Sequence, residues 1–177
     1  MNVTLGSGAV RRADSAAYRA TMQHLCGGVV VVSTEHEGRD IGMVATAVCS
    51  ISDEPPTVMV CISKSASIHQ PLSETGRYTI SILDEDSVDV ARVFSSKNED
   101  ARRKRPQHFT GYSGMRAISG AMAVLHCRVV LELDRGTHTA FFAEVDEHCV
   151  LEPEAAPLLY FRQTFHGYVM SLAARRP

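Results

Sequence analysis

The chain has 177 residues, of which 45% are hydrophobic and 21% charged, with a formal net charge of −2 at pH 7. That is enough chain for one domain with a sizeable core. The near-zero charge gives no general attraction to nucleic acid or an anionic membrane surface, and no apolar run approaches the roughly 20 residues that span a bilayer.

Residues 1–13 are expected to form a flexible arm before a single domain, and they lack the apolar core of a signal peptide. The segment Asp14–Leu25, "DSAAYRATMQHL", predicts a helix: Asp14 or Ser15 can cap it, and Tyr18, Met22 and Leu25 fall on one face. Gly27 and Gly28 end it. "VVVVST" predicts a buried β-branched strand, "EHEGRD" a polar turn, and "IGMVATAVCSIS" a second strand. "DEPP" is a sharp loop, because proline cannot donate to a ladder, and "TVMVCIS" is a third strand.

Ser67–Thr75, "SIHQPLSET", predicts a short helix capped by Ser67, with Gly76 as the left-handed residue after it. "RYTISIL" is a fourth strand. "DEDSVDVARVFSS" predicts an amphipathic helix capped by Asp84 or Asp86, with Val88, Ala91 and Phe94 on one side. Lys97–Arg116 reads as polar and irregular. "GAMAVLHCRVVLELD" and "HTAFFAEVDEHCVL" predict two long strands joined at "DRGT", a hairpin turn around Gly136. "LLYFR" is a last short strand before an apolar tail. Six or seven antiparallel strands with covering helices point to a small barrel, mainly β. The alternation of a doubly wound sheet is absent, and so is GxGxxG.

The five cysteines, Cys26, Cys49, Cys61, Cys127 and Cys149, are odd in number and form no CxxC pair. They read as reduced, buried thiols of a cytoplasmic protein. The eight histidines form no metal-ligand spacing, so no metal site is expected. The cluster "ARRKRPQH", with Arg102, Arg103, Lys104 and Arg105, is flanked by acidic residues and reads as a solvated loop rather than a nucleic-acid surface.

The order "GVVVVST", "GRDIGMVATAVCSIS", "PPTVMVCISKSASIH", "GRYTISIL" and "HTAFFAEV", spread over Tyr18 to Phe165, resembles the short-chain flavin reductases. These are the reductase components of two-component flavin monooxygenases. The resemblance implies an antiparallel split β-barrel, homodimeric, with flavin near the subunit interface. It also implies hydride transfer from NADH or NADPH to FMN or FAD, and a separate flavin-dependent monooxygenase that receives the reduced flavin. A flavin-binding protein without turnover, or another split-barrel oxidoreductase, is the alternative.

A flavin nucleotide carries a phosphate and a flat ring with polar edges. By that resemblance Ser63, Lys64, Ser65, Ser67 and His69 are candidates for the phosphate end, with Lys64 a point charge and the serines hydroxyl donors. Met43, Val44, Thr46, Ala47, Val48, Cys49 and Ser50 would line the ring and ribityl chain, where small side chains let the backbone approach. Ser81 and Arg162 complete the binding set. Val44 stands where the family often has Thr, and Ser81 where it often has Asn. His138 matches a family histidine near the nicotinamide and is the catalytic candidate.

Overall fold

The computed structural model describes residues 14–112 and 115–168. The expected arm at 1–13 and the end of the apolar tail lie outside the described residues. Helix α1, Ser15–Met22, is capped by Asp14, whose Oδ1 accepts the Ala16 and Ala17 amides at 2.9 and 2.8 Å. Its apolar face is bare: Tyr18 is 59% exposed, Met22 41% and the following Leu25 67%.

The short strand β1, Gly27–Gly28, leads into β2, Val30–His36, which turns back into β3, Arg39–Ala45. Glu37 and Gly38 form the turn, both with positive φ, the pattern that matches strand twist in two-residue hairpins. β2 reads as a continuous apolar run because both of its faces are buried. Val30 and Val32 enter the barrel core, while Val29 and Val31 enter a second cluster outside it.

The single strand expected over "IGMVATAVCSIS" is two. The chain breaks at Thr46–Ala47, and β4, Val48–Asp53, follows, returning as β5, Pro56–Ser63. With β6, Arg77–Leu83, β9, Ala121–Arg135, and β10, His138–Val150, they form one antiparallel sheet in the order β3-β2-β6-β9-β10-β5-β4. β3 and β4 are its opposite edges, yet only two residues separate them in the chain. The edges must therefore meet, and the sheet curls into a barrel. Register shifts that leave an extra residue in β4, β9 and β10 add curvature.

Helix α2, His69–Thr75, is shorter than expected. Its N-cap position is Ile68, with no side-chain cap bond, so Ser67 does not cap. Ile68 and Leu72 are fully buried in the barrel core and anchor α2 to it. Gly76 ends the helix with φ 63°, as the sequence indicated. A 3-10 turn at Glu85–Ser87 precedes α3, Val88–Ser95, which buries Ala91 and Phe94 against the second cluster. Asp84 accepts the Ser87 hydroxyl at 2.6 Å instead of capping the helix backbone.

The stretch read as irregular is ordered. It holds α4, Glu99–Lys104, a 3-10 turn, Arg105–His108, and a hairpin of β7, Phe109–Tyr112, and β8, Met115–Ile118. Arg105 donates to the carbonyls of Val93, Phe94 and Ser96 at the C-terminus of α3, and its guanidinium lies 5.6 Å from the Phe94 ring centre. One cation of the basic cluster is thus a helix cap, while Arg103 and Lys104 are exposed. β11, Leu158–Phe161, and β12, Thr164–Gly167, join β1 in a three-stranded sheet.

The cysteine reading needs correction. Cys127 is buried, but Cys26 and Cys49 are exposed and Cys61 and Cys149 half-buried. An apolar run does not bury a thiol where alternate strand positions face outward. Among the described residues no helix is long and apolar enough to cross a membrane.

Candidate active site

The end of β5 and the β9–β10 hairpin lie side by side. His138 pairs with Ser63 and Thr139 with Ile62 across the ladder, and the Lys64 amide donates to the Thr137 carbonyl at 2.9 Å. This brings together Ser63, Lys64, Ser65 and His138, which are 75 positions apart at the extremes of the sequence (Ser63 and His138). Ser63 and Ser65 share a hydroxyl hydrogen bond of 3.0 Å. His138 is exposed, with Nδ1 2.9 Å from the Thr137 hydroxyl.

A chain of polar contacts runs inward from the surface, from exposed Lys64 and Asp134 to buried Thr139. Lys64 Nζ meets Asp134 Oδ2 at 2.8 Å. Thr139, only 1% exposed, donates its hydroxyl to Asp134 Oδ1 at 2.6 Å. Its single proton is then committed, so its oxygen accepts from His69 Nε2 at 2.7 Å. That places a proton on His69 Nε2, and the ring edge packs on Phe141 with centroids 5.5 Å apart. The bonds from Lys64 and then Thr139 hold the Asp134 carboxyl below the usual carboxylate range.

The barrel seam adjoins this cluster. The Cys61 amide donates to the Ala47 carbonyl at 2.9 Å, which sets Thr46–Ala47 beside the end of β5. Thr46 and Ala47 are exposed, and Val48 is half-buried. Gly27 backs Thr46 so closely that a Cβ there would lie 3.1 Å from the Thr46 Cβ. The exposed, small residues Thr46 and Ala47 therefore adjoin the strand end that carries Ser63, Lys64 and Ser65.

Other candidates lie apart. Met43 packs on the barrel core and Val44 on the second cluster. Cys49 and Ser50 are exposed farther along β4, opposite Met59 and Val58. Ser67 is exposed, and the His69 amide is engaged with the Ala66 carbonyl at 3.0 Å. Ser81 has no exposed surface, and its hydroxyl accepts the Ile118 amide at 3.1 Å. Arg162 sits in the β11–β12 turn with φ 48°, its guanidinium 5.1 Å from the Phe161 ring centre. Two cavities, of about 270 and 590 Å³, also lie away from the cluster: the first beside Thr34, Arg77 and Arg116, the second beside Ser52, Thr57 and His148. Among the described residues no group of three or more His, Cys, Asp or Glu side chains could hold a metal ion.

Asp134, Thr137 and Thr139 were not singled out from the sequence. The hairpin carried a signal for two of them. Counting outward from Gly136–Thr137 sets Arg135 against His138 and Asp134 against Thr139, as observed.

The family model for the flavin reductase like domain matches residues 22–168. The chain is 35% identical over 159 residues to the reductase component of a 4-nitrophenol 4-monooxygenase/4-nitrocatechol 2-monooxygenase from Rhodococcus opacus, covering 88% of this chain and 82% of that protein. It is 33% identical over 151 residues to the FMN reductase (NADH) RutF of Stutzerimonas stutzeri, covering 85% and 86%. The fold matches an NADH:FAD oxidoreductase of Streptomyces globisporus, solved with NAD and FAD fragments, with a TM-score of 0.83 and 27% identity, over 94% of this chain and 99% of that one.

Proposed function

Because the chain belongs to the family of flavin reductase like domains, we propose that it transfers hydride from NADH or NADPH to FMN or FAD and releases the reduced flavin to a separate flavin-dependent monooxygenase. The observation that carries this reading is the convergence of Lys64, Ser63, Ser65 and His138 beside the exposed Thr46–Ala47 seam. Lys64 and the two serines suit a phosphate, as one cation and two hydroxyl donors. The seam suits a flat ring that needs backbone contact. His138 fits a positioning role at the nicotinamide, since hydride transfer depends chiefly on holding donor and acceptor carbons in register. A bound NADH or NADPH would supply the hydride with its two electrons, and a bound flavin would accept it together with one proton. His138, exposed at the surface, is placed to pass that proton in from solvent.

A second copy of the chain completes the reading. The bare face of α1 and the outer half of β9, where Val130, Leu131 and Leu133 are each about half exposed (48%, 53% and 56%), give apolar surface suited to a homodimer. Leu158, by contrast, is buried in the second cluster and adds nothing to that surface. The five unpaired cysteines favour a reducing compartment, the cytoplasm.

The test is spectrophotometric. Purified, flavin-free protein is mixed with NADH or NADPH, with and without FMN or FAD, and absorbance at the nicotinamide band is followed. Oxidation that requires added flavin is the expected result. No oxidation with any flavin, despite flavin binding, would leave a binding protein. Light scattering at micromolar concentration tests the dimer, and a monomer overturns it.

A further inference from the structure

We propose that Asp134 competes with the flavin phosphate for Lys64, and so keeps flavin exchangeable. This rests on the reductase reading above. The Lys64 ammonium is already paired with a carboxylate, at 2.8 Å. The two partners differ in freedom. Asp134 is tied by the hydroxyl of buried Thr139, which is in turn braced by His69. Both side chains reach solvent, Lys64 at 40% and Asp134 at 67% exposed, but Lys64 has a flexible four-carbon stem whereas the short Asp134 side chain is held by its second bond. The cation can swing to an arriving anion while the carboxylate stays behind.

Binding a phosphate then exchanges one charge-assisted bond for another, and the net gain is only their difference. The stranded carboxylate also repels the phosphate and draws the cation back. A protein that passes reduced flavin onward requires such a return, because a flavin held by an uncontested lysine would leave slowly. Asp134 thus acts on release without touching the reacting atoms, as a positioning residue for Lys64.

The test compares FMN with riboflavin, which lacks the phosphate. Wild type, Asp134→Asn, Asp134→Ser, Lys64→Ala and Lys64→Ala/Asp134→Asn are titrated with each flavin by fluorescence at one ionic strength, and FMN dissociation is followed by stopped-flow displacement. Loss of the Asp134 charge is expected to tighten FMN by up to about fivefold, the upper end for a competing exposed ion pair. Riboflavin affinity should stay the same, FMN dissociation should slow, and most of the gain should vanish in the double variant. Asp134→Ser removes the charge by another route if Asp134→Asn fails to fold. An unchanged FMN-to-riboflavin affinity ratio in the Asp134 variants overturns the proposal. So does an FMN gain that persists in full without Lys64, or a parallel weakening of both flavins, which would mean that Asp134 only holds the hairpin. If wild type binds neither flavin, the reductase reading falls and this one with it; if it binds both with an unchanged ratio, only this one falls.

Discussion

Ser81→Ala separates a structural hydroxyl from a flavin contact. Ser81 and Ile118 are both fully buried, and the Ser81 hydroxyl accepts the Ile118 amide at 3.1 Å. Alanine removes the acceptor and leaves a buried amide without a partner. Such a loss costs about 1–3 kcal/mol, because the amide forfeits its bond to water in the unfolded chain and gains nothing in return. For a chain of this length each kcal/mol lowers the melting temperature by about 2–4 °C, so the expected drop is about 2–12 °C. Urea unfolding and calorimetry at one fixed protein concentration measure it, since dimerisation would make stability concentration-dependent. Flavin affinity of the folded variant should equal that of wild type. A stability change under about 0.5 kcal/mol would refute the hydrogen-bond argument. A tenfold loss of flavin affinity without a stability change would return Ser81 to the flavin site.

Lys64→Ala should weaken FMN by less than the roughly 10- to 150-fold of an uncontested charge-assisted contact worth about 1.5–3 kcal/mol, because the Asp134 pair is lost with it, and leave riboflavin unaffected by titration. His138→Ala should preserve flavin affinity and slow the reduction of bound flavin in stopped-flow; reduction at the wild-type rate would leave His138 a turn residue. Gly120→Ala should cost at least about 1–2 kcal/mol in urea unfolding, because Gly120 has φ 83° and its new methyl would collide with the Ser87 hydroxyl. In the folded protein a thiol reagent should modify exposed Cys26 and Cys49 but spare Cys127, which should react only on unfolding. Burial pushes the Cys127 thiol up from 9.0 to about 12, so the unfolded chain loses this proton first. The thiol's contribution to stability is therefore whole below about pH 9 and declines as pH rises towards 12, which denaturant titrations across that range would detect.

The sequence by itself determined the features whose causes are local. The Asp14 cap, the buried β-branched run of β2, the turn at Glu37–Gly38, the left-handed Gly76 and the hairpin at Gly136 each follow from a few adjacent residues. It also carried Ser63, Lys64, Ser65 and His138 as a candidate set, because their order along the chain resembles a family. Tertiary structure decided what distant residues impose on one another. Every residue of "IGMVATAVCSIS" is compatible with a strand, and only closure of the barrel breaks it at Thr46–Ala47. Segment α4 has no apolar periodicity to announce it, and Arg105 became a cap only when α3 ended beside it. Ser81 looked available until Ile118 came to lie against it. Lys64 looked like a free cation, yet its partner Asp134 lies 70 residues away, and the His69–Thr139 bond spans the same separation. Local propensity acts over a few residues, whereas burial and charge pairing depend on which strands become neighbours, and that is fixed only when the sheet closes.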